Sequence, residues 1–397
     1  MKQLLLAAFF FAALPVYSQN GKIEIGIIDS LYSTSLGENR QVWVHVPAQP
    51  EGYEIFAPKR YPVLYLLDGD WHFQSVTGLL HFLSSENGAS IVPEMIVVAV
   101  VNTDRTRDFT PTSSTKDWNG NEQRYLRNSG GGNKFTSFLE KELIPYIDSK
   151  YPTEQYRMLV GHSFGGLLVV NTLVEKPALF NAYVAIEPSL WWDDKVVLKK
   201  AVTAIQKDRI GNRKLFLAVA DTVQASDNVA HIRANIAFAR MLEKQKNTSL
   251  TWKYYKGENH FTVPLMAEND ALRTLLKYEP LPIPGEGVEA SAFHADYVRQ
   301  HYTYLSDKVG YKMLPPEDMV FSFALACMNR KIPEKAYGFL KLNMENYPNS
   351  YNVYSSMGQY YERLGDKGKA IEFYEKALTI KDYPETINKL VKLRSSK

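Results

Sequence analysis

The stretch that most constrains this chain is Gly161-His162-Ser163-Phe164-Gly165-Gly166. The run Tyr156 to Val160 precedes it and ends apolar, and a helix-like run, Leu167 to Val174, follows it. Strand, tight turn and helix in that order predict a nucleophile elbow. The constraint is steric. The serine sits on a sharp turn with strained backbone angles, and side chains at the flanking positions would collide with the strand and helix that the turn joins. Gly161 and Gly165 meet that demand. The turn raises the Ser163 hydroxyl above the sheet and leaves the Phe164 N–H at the start of a helix, where it can face an oxyanion. Without its flanking strand and helix, the same pentapeptide would read as a glycine-rich turn.

Around this turn the chain alternates strands and helices. Ile23 to Ile28 and Gln41 to Val46 read as a hairpin punctuated at Gly37-Glu38-Asn39. Val63 to Leu67 and Met95 to Val101 are almost wholly apolar, as strands covered on both faces should be. Gln74 to Ser84 between them fits a helix. Further strands are expected at Ala182–Ile186, Leu215–Ala220 and Thr251–Tyr255, with helices over Phe135–Tyr151 and from about Val229 to Lys244. The pattern predicts an α/β fold, a mostly parallel sheet with helices on both faces. The polar, glycine-rich segment Asn102 to Asn133 is long for a loop in a compact domain, which marks it as functional or mobile.

Leu281-Pro282-Ile283-Pro284-Gly285 reads as a linker. Beyond it the period changes to that of a tetratricopeptide repeat. Tyr354, Met357, Gly358, Tyr361, Ala370, Tyr374 and Ala377 form one copy, with Asp382 where a proline is usual. Val320, Phe323, Ala324, Cys327, Ala336, Leu340 and Pro348 form an earlier one, where Asn343 replaces the usual small residue. Two copies are fewer than such modules need alone, so this one is expected to pack against something else.

At the other end, Met1-Lys2-Gln3, the apolar run Leu4 to Leu14 and Val16-Tyr17-Ser18 read as a secretory signal cut after Ser18. That run is too short to span a bilayer. The expected organisation is therefore a signal peptide at 1–18, a hydrolase domain at 22–280, a linker at 281–290 and a helical domain at 291–397. The mature protein is expected to be soluble and periplasmic. A net charge of +3 over 397 residues gives no electrostatic case for nucleic acid. One cysteine, Cys327, excludes an intramolecular disulfide and thiolate metal clusters, and no H-x-H or H-E-x-x-H spacing occurs. No metal and no cofactor are expected.

A serine needs a base, and the base needs an acid to orient it. His260, in Gly257-Glu258-Asn259-His260 after the last strand, is where a base belongs in the order Ser, acid, His. The acid is expected after the strand ending at Ala220, where Asp221 and Asp227 are both available. Asp227 stands just before a helix and could equally cap it. The second oxyanion N–H is expected from the loop after the third strand, at Asp70. Arg105, Arg107, Trp191 and Trp192 are candidates for lining the substrate cleft, against a structural reading in which Arg107 pairs with Asp108 and the tryptophans pack a sheet end.

Four separated motifs share one order: Asp68-Gly69-Asp70, Gly-His-Ser-Phe-Gly-Gly, Pro188-Ser189-Leu190-Trp191-Trp192 and Gly257-Glu258-Asn259-His260. Together they resemble the esterase family of α/β-hydrolases that includes esterase D and the trilactone siderophore (enterochelin-type) esterases. The resemblance covers about Ile23 to Tyr278. It implies an α/β-hydrolase fold and cofactor-free hydrolysis of carboxylic or thioesters. It also favours Asp227 over Asp221 as the acid, although Asp221-Thr222-Val223-Gln224-Ala225 departs from the family's Gly-containing turn with a nearby Glu. The expected partner is a small-molecule ester, with a protein partner or self-association through the repeats. The alternatives are a modified hydrolase scaffold that binds through its repeats, and an acyltransferase.

Overall fold

In the computed structural model, the described residues are 22–49, 52–85, 90–207, 209–211, 213–221, 229–244, 249–285 and 289–395. The signal segment read at 1–18 lies outside them, as does Asp227. The strands are β1 (Ile27–Ser33), β2 (Glu38–His45), β3 (Tyr61–Leu66), β4 (Ile96–Val100), β5 (Thr153–His162), β6 (Ala182–Ile186), β7 (Lys214–Ala220) and β8 (Ser249–Tyr255). They form an eight-stranded sheet in the order β1-β2-β4-β3-β5-β6-β7-β8. The β1–β2 and β2–β4 pairs are antiparallel and the rest parallel. The hairpin turns at Gly37 as expected, but β1 begins later than the apolar Ile23 would suggest.

The helices of this domain are α1 (Gly69–Ser84), α2 (Arg105–Phe109), α3 (Gly132–Phe138), α4 (Ile144–Lys150), α5 (Phe164–Glu175), α6 (Trp192–Gln206), α7 (Val229–Glu243) and α8 (Val263–Leu276). The single helix expected from Phe135 is α3 and α4 joined by a π-helical turn, Leu139–Leu143. The extra residue in that turn lets Phe135, Phe138, Leu139, Leu143 and Ile147 all reach the core. Helix α1 starts five residues before the expected Gln74, directly after Asp68. Apolar strand residues alternate between two cores, one on each sheet face, so β3, β4 and β6 read as unbroken apolar runs. Helix α5 is buried along its whole length except Glu175.

After the linker come α9 (Ala295–Val309), α10 (Glu317–Asn329), α11 (Pro333–Asn346), α12 (Tyr351–Arg363), α13 (Lys367–Ile380) and α14 (Pro384–Ser395). The α12–α13 pair is the clearer repeat. A Cβ on Gly358 would lie 2.5 Å from the Tyr374 ring, so only glycine lets these helices meet so closely. Asn343, the departure in the earlier copy, is buried and donates through Nδ2 to the Glu317 carbonyl at 2.8 Å. The module packs on the sheet domain. Glu317 accepts from Ala57 N–H at 2.8 Å, and the Tyr311 ring packs tilted against Tyr156 with centroids 5.2 Å apart. No helix among the described residues is long and apolar enough to cross a membrane.

Candidate active site

Strand β5 ends at His162, and the chain turns into α5 through Ser163 at φ 58°, ψ −115°. Few non-glycine residues occupy that region, and such strain clusters at functional turns. The turn depends on its glycines. A Cβ on Gly161 would lie 2.5 Å from the Gly165 carbonyl carbon, and one on Gly166 would lie 3.0 Å from the Ile186 carbonyl oxygen. Phe164 is the first residue of α5 and Asp70 the second of α1, so neither N–H has an intrahelical partner. Both helices start at the carboxyl ends of neighbouring strands, β3 and β5. Gly69 lets α1 start tight against the sheet, since a Cβ there would meet Ala99 at 2.8 Å.

His260 is held by a local loop. Gly257 takes a positive φ after β8, and the Asn259 side chain accepts from the N–H groups of Phe261 and Thr262. His260 Nδ1 then lies 3.4 Å from Glu187 Oε2. Glu187 follows β6 directly, with φ 44°, and is fully buried. It accepts from Ala220 N–H at 2.6 Å, and its Oε2 also lies 2.9 Å from His231 Nε2 on α7. Burial pushes this carboxyl up. Hydrogen bonds from His231, His260 and the Ala220 N–H outweigh it and hold the pKa at about 2. With Oε2 engaging Nδ1, the His260 Nε2 edge is the one left for other partners. Ser163 Oγ lies 3.5 Å from Ser189 Oγ, at the outer limit of a hydrogen bond. Ser163, His260, His231 and Ser189 line one cleft of about 930 Å³.

His162, next to the serine, has a pKa pushed down to about 2, first by burial and then by its histidine and Arg105 neighbours, so it is neutral across the physiological range. Across the cleft, His72 Nδ1 lies 2.8 Å from the buried Glu268 carboxylate. Burial lowers the His72 pKa, but the Glu268 bond more than offsets it and the net shift is upward. The cleft mouth is aromatic. Trp71 and Phe261 are 62% and 85% exposed there, and Trp118 and Tyr125 reach it from the long polar segment.

The expected site residues separate into groups. Trp191 and Arg105 line the cleft. Arg105, however, is committed to buried Asp68 through two hydrogen bonds of 2.6 and 2.9 Å, and donates to the His162 carbonyl. Its positioned role is to tie the long segment to the elbow. Arg107 and Trp192 do not line the cleft. Arg107 is tied to Glu38 and Asp108 in a network with buried Arg40, because this ion group anchors the segment to β2. Trp192 is fully buried and donates to Thr112. Asp221 accepts from Tyr254 Oη at 2.7 Å and Gly257 N–H at 3.4 Å. Glu187, absent from the sequence reading, is the carboxylate that meets His260. The available signal was its place at the end of a buried strand, between Ser163 and His260 in chain order.

A strained serine at a strand-to-helix turn, lining one cleft with a histidine that is backed by a buried carboxylate, is the arrangement expected of the α/β-hydrolase class. The chain belongs to the family described as "Putative esterase", whose model matches residues 33–263. A tetratricopeptide repeat model matches residues 351–383. The chain is 28% identical to the ferri-bacillibactin esterase BesA of Bacillus subtilis over 61% of this chain and 87% of that protein. It is 26% identical to the apo-salmochelin esterase of Escherichia coli O6:H1 over 64% of this chain and 77% of that protein. Among solved structures, an IroE-like serine hydrolase from Shewanella oneidensis matches with TM-score 0.66 and 31% identity, covering 81% of this chain and 99% of that one. An uncharacterised protein from Capnocytophaga ochracea matches 94% of this chain and all of its own with TM-score 0.57, at 19% identity a likeness of fold alone.

Proposed function

We propose that this esterase is an exported serine hydrolase that cleaves carboxylic esters of the siderophore type through an acyl-enzyme on Ser163. The observation that carries the reading is the strained Ser163 turn opening on the same cleft as the His260–Glu187 pair. In this reading Ser163 Oγ attacks the ester carbonyl while His260 Nε2 takes its proton. The Phe164 and Asp70 N–H groups hold the developing oxyanion. His260 then protonates the leaving alcohol, and water repeats the sequence to release the acid. Glu187 holds the imidazole in the tautomer that accepts at Nε2 and stabilises the imidazolium.

The relatives' names support a siderophore ester, and the aromatic cleft mouth supports acyl groups that carry planar rings. Trp71, Trp118 and Phe261 offer ring faces for stacking. The leader pattern read at 1–18 supports export to the periplasm. The scaffold and acyltransferase alternatives find no specific supporting feature in the site.

A fluorophosphonate label followed by an ester panel tests the proposal. The label should attach to Ser163, and Ser163→Ala should lose both label and turnover, the latter by roughly 10⁴-fold or more, with an unchanged melting temperature. Wild-type turnover in Ser163→Ala would overturn the nucleophile assignment. Hydrolysis of simple esters without any of a siderophore trilactone would overturn the substrate class.

A further inference from the structure

The residues Glu187, His231 and His260 come from the end of β6, from α7 and from the loop after β8. No sequence spacing links them, yet their ligand atoms converge. Glu187 Oε2 lies 2.9 Å from His231 Nε2 and 3.4 Å from His260 Nδ1, and the three atoms all lie within 4.8 Å of one another. Tetrahedral zinc with bonds of about 2.0–2.1 Å sets two ligand atoms roughly 3.3 Å apart. Two imidazole nitrogens and one carboxylate oxygen are the donor set of zinc sites that keep an open fourth position. His231 and His260 both line the cleft, which provides an entry path and space for a water in that position.

We propose that Glu187, His231 and His260 form an inhibitory zinc site. The consequence rests on the reading of His260 as the base; the binding does not. In the metal-free site His260 donates Nδ1–H to Glu187 and keeps the Nε2 lone pair for the Ser163 proton. Zn²⁺ takes the Nδ1 lone pair instead, and the proton displaced from Nδ1 re-enters on Nε2. No bond to carbon changes and nothing is oxidised. The imidazole then has no lone pair facing Ser163, and the serine stays protonated. The ion also draws on Glu187 Oε2, so the base and its orienting acid are captured together. Mg²⁺ prefers oxygen ligands in octahedral geometry and should not compete.

Calorimetric titration of full-length Ser163→Ala with ZnCl₂ separates binding from catalysis. We expect one Zn²⁺ per chain, and an affinity at least about tenfold weaker when His260→Gln is added, as loss of a ligand should cost no less than loss of its supporting partner. His260 is on a partly exposed loop, so its substitution should leave the fold intact; His231→Asn is the second ligand test, with the melting temperature as the check on folding. In wild-type protein, zinc should stop hydrolysis of a small ester, EDTA should restore it, and Mg²⁺ should have no effect. The absence of saturable zinc binding, or binding unchanged by His260→Gln, would overturn the site. Zinc bound at these residues with ester turnover unchanged would overturn its inhibitory role.

Discussion

Glu187 combines two costs that a merely structural residue would avoid. It holds a left-handed backbone angle, and it buries a carboxylate. Both are offset by what the group does for its neighbours: two histidines and the Ala220 N–H converge on it. Glu187→Gln should therefore cut turnover by about 10⁴-fold, by analogy with the tautomer disruption that an amide in place of a triad carboxylate causes. Asp221→Asn should cost less than about tenfold, because Asp221 serves Tyr254 and the Gly257 turn. Asp227→Asn should behave like Asp221→Asn. Steady-state kinetics on all three decide it, and a large loss in Asp227→Asn with a small one in Glu187→Gln would return the acid to the loop after β7. Ser163 and His260 were legible in the sequence because each lies in a local pattern, an elbow and a post-strand turn. Glu187 was not. A glutamate before a proline reads as a turn residue until β6 is seen paired between β5 and β7, which brings the end of β6 beneath His260.

At the scale of elements, the buried strands and the helices that cover them were legible because two-sided burial removes polar residues from a run. The π-helical turn was not, since an extra residue leaves the apolar spacing of Leu139, Leu143 and Ile147 looking like ordinary helix. That turn carries Glu142, which clasps the β1–β2 hairpin. Its Oε1 accepts from Thr34 Oγ1 at 2.7 Å, Ser35 N–H at 2.9 Å and Ser35 Oγ at 2.8 Å. Burial raises the Glu142 pKa, but the bonds from Ser33, Thr34 and Ser35 outweigh it and bring it to about 2, below the ordinary value of 4.5. Between those values the unfolded chain holds a proton that the folded chain lacks, so stability rises with pH there. The contribution is complete above about 4.5 and is lost as pH falls through about 2. Glu142→Gln lacks this term. Its melting temperature should lie below wild type at pH 7, and the gap should close between pH 5 and 2. A gap independent of pH would show that the clasp works through shape and not through ionisation.

The whole molecule joins the sheet domain to a helical region, and the contacts between them were not legible in the sequence. The Leu281–Gly285 linker is marked by its prolines. The residues that then return to the sheet domain are scattered singly. Lys214 Nζ donates to the carbonyls of Lys308 and Val309 at 2.8 and 2.9 Å, and Val309, Tyr311 and Met313 pack into the core on one face of the sheet. Further along, Glu317 reaches Ala57 and Lys381 reaches the Glu54 carbonyl. So the end of α9 and the segment after it, through Met313, pack on the esterase domain, while Val298 and Tyr302 earlier in α9 pack with α10 and α11. All the cleft-lining residues precede the linker, Glu268 being the last. Two shortened chains distinguish these layers. Ending the chain at Leu314 removes the repeats but keeps Val309, Tyr311 and Met313, and should leave small-ester turnover within about threefold of wild type with a modest fall in melting temperature. Ending it at Gly285 uncovers Tyr156 and the Lys214 amine. Losing buried Val309, worth roughly 1.5–3 kcal/mol, and partly buried Tyr311 and Met313 should lower the melting temperature further. At about 2–4 °C per kcal/mol for a domain of this size, that difference is well within the reach of a thermal melt. Equal melting temperatures for the two chains would show that the Val309–Met313 contacts add nothing to the stability of the esterase domain, and loss of small-ester turnover in a folded Leu314 chain would show that the repeats complete the active site.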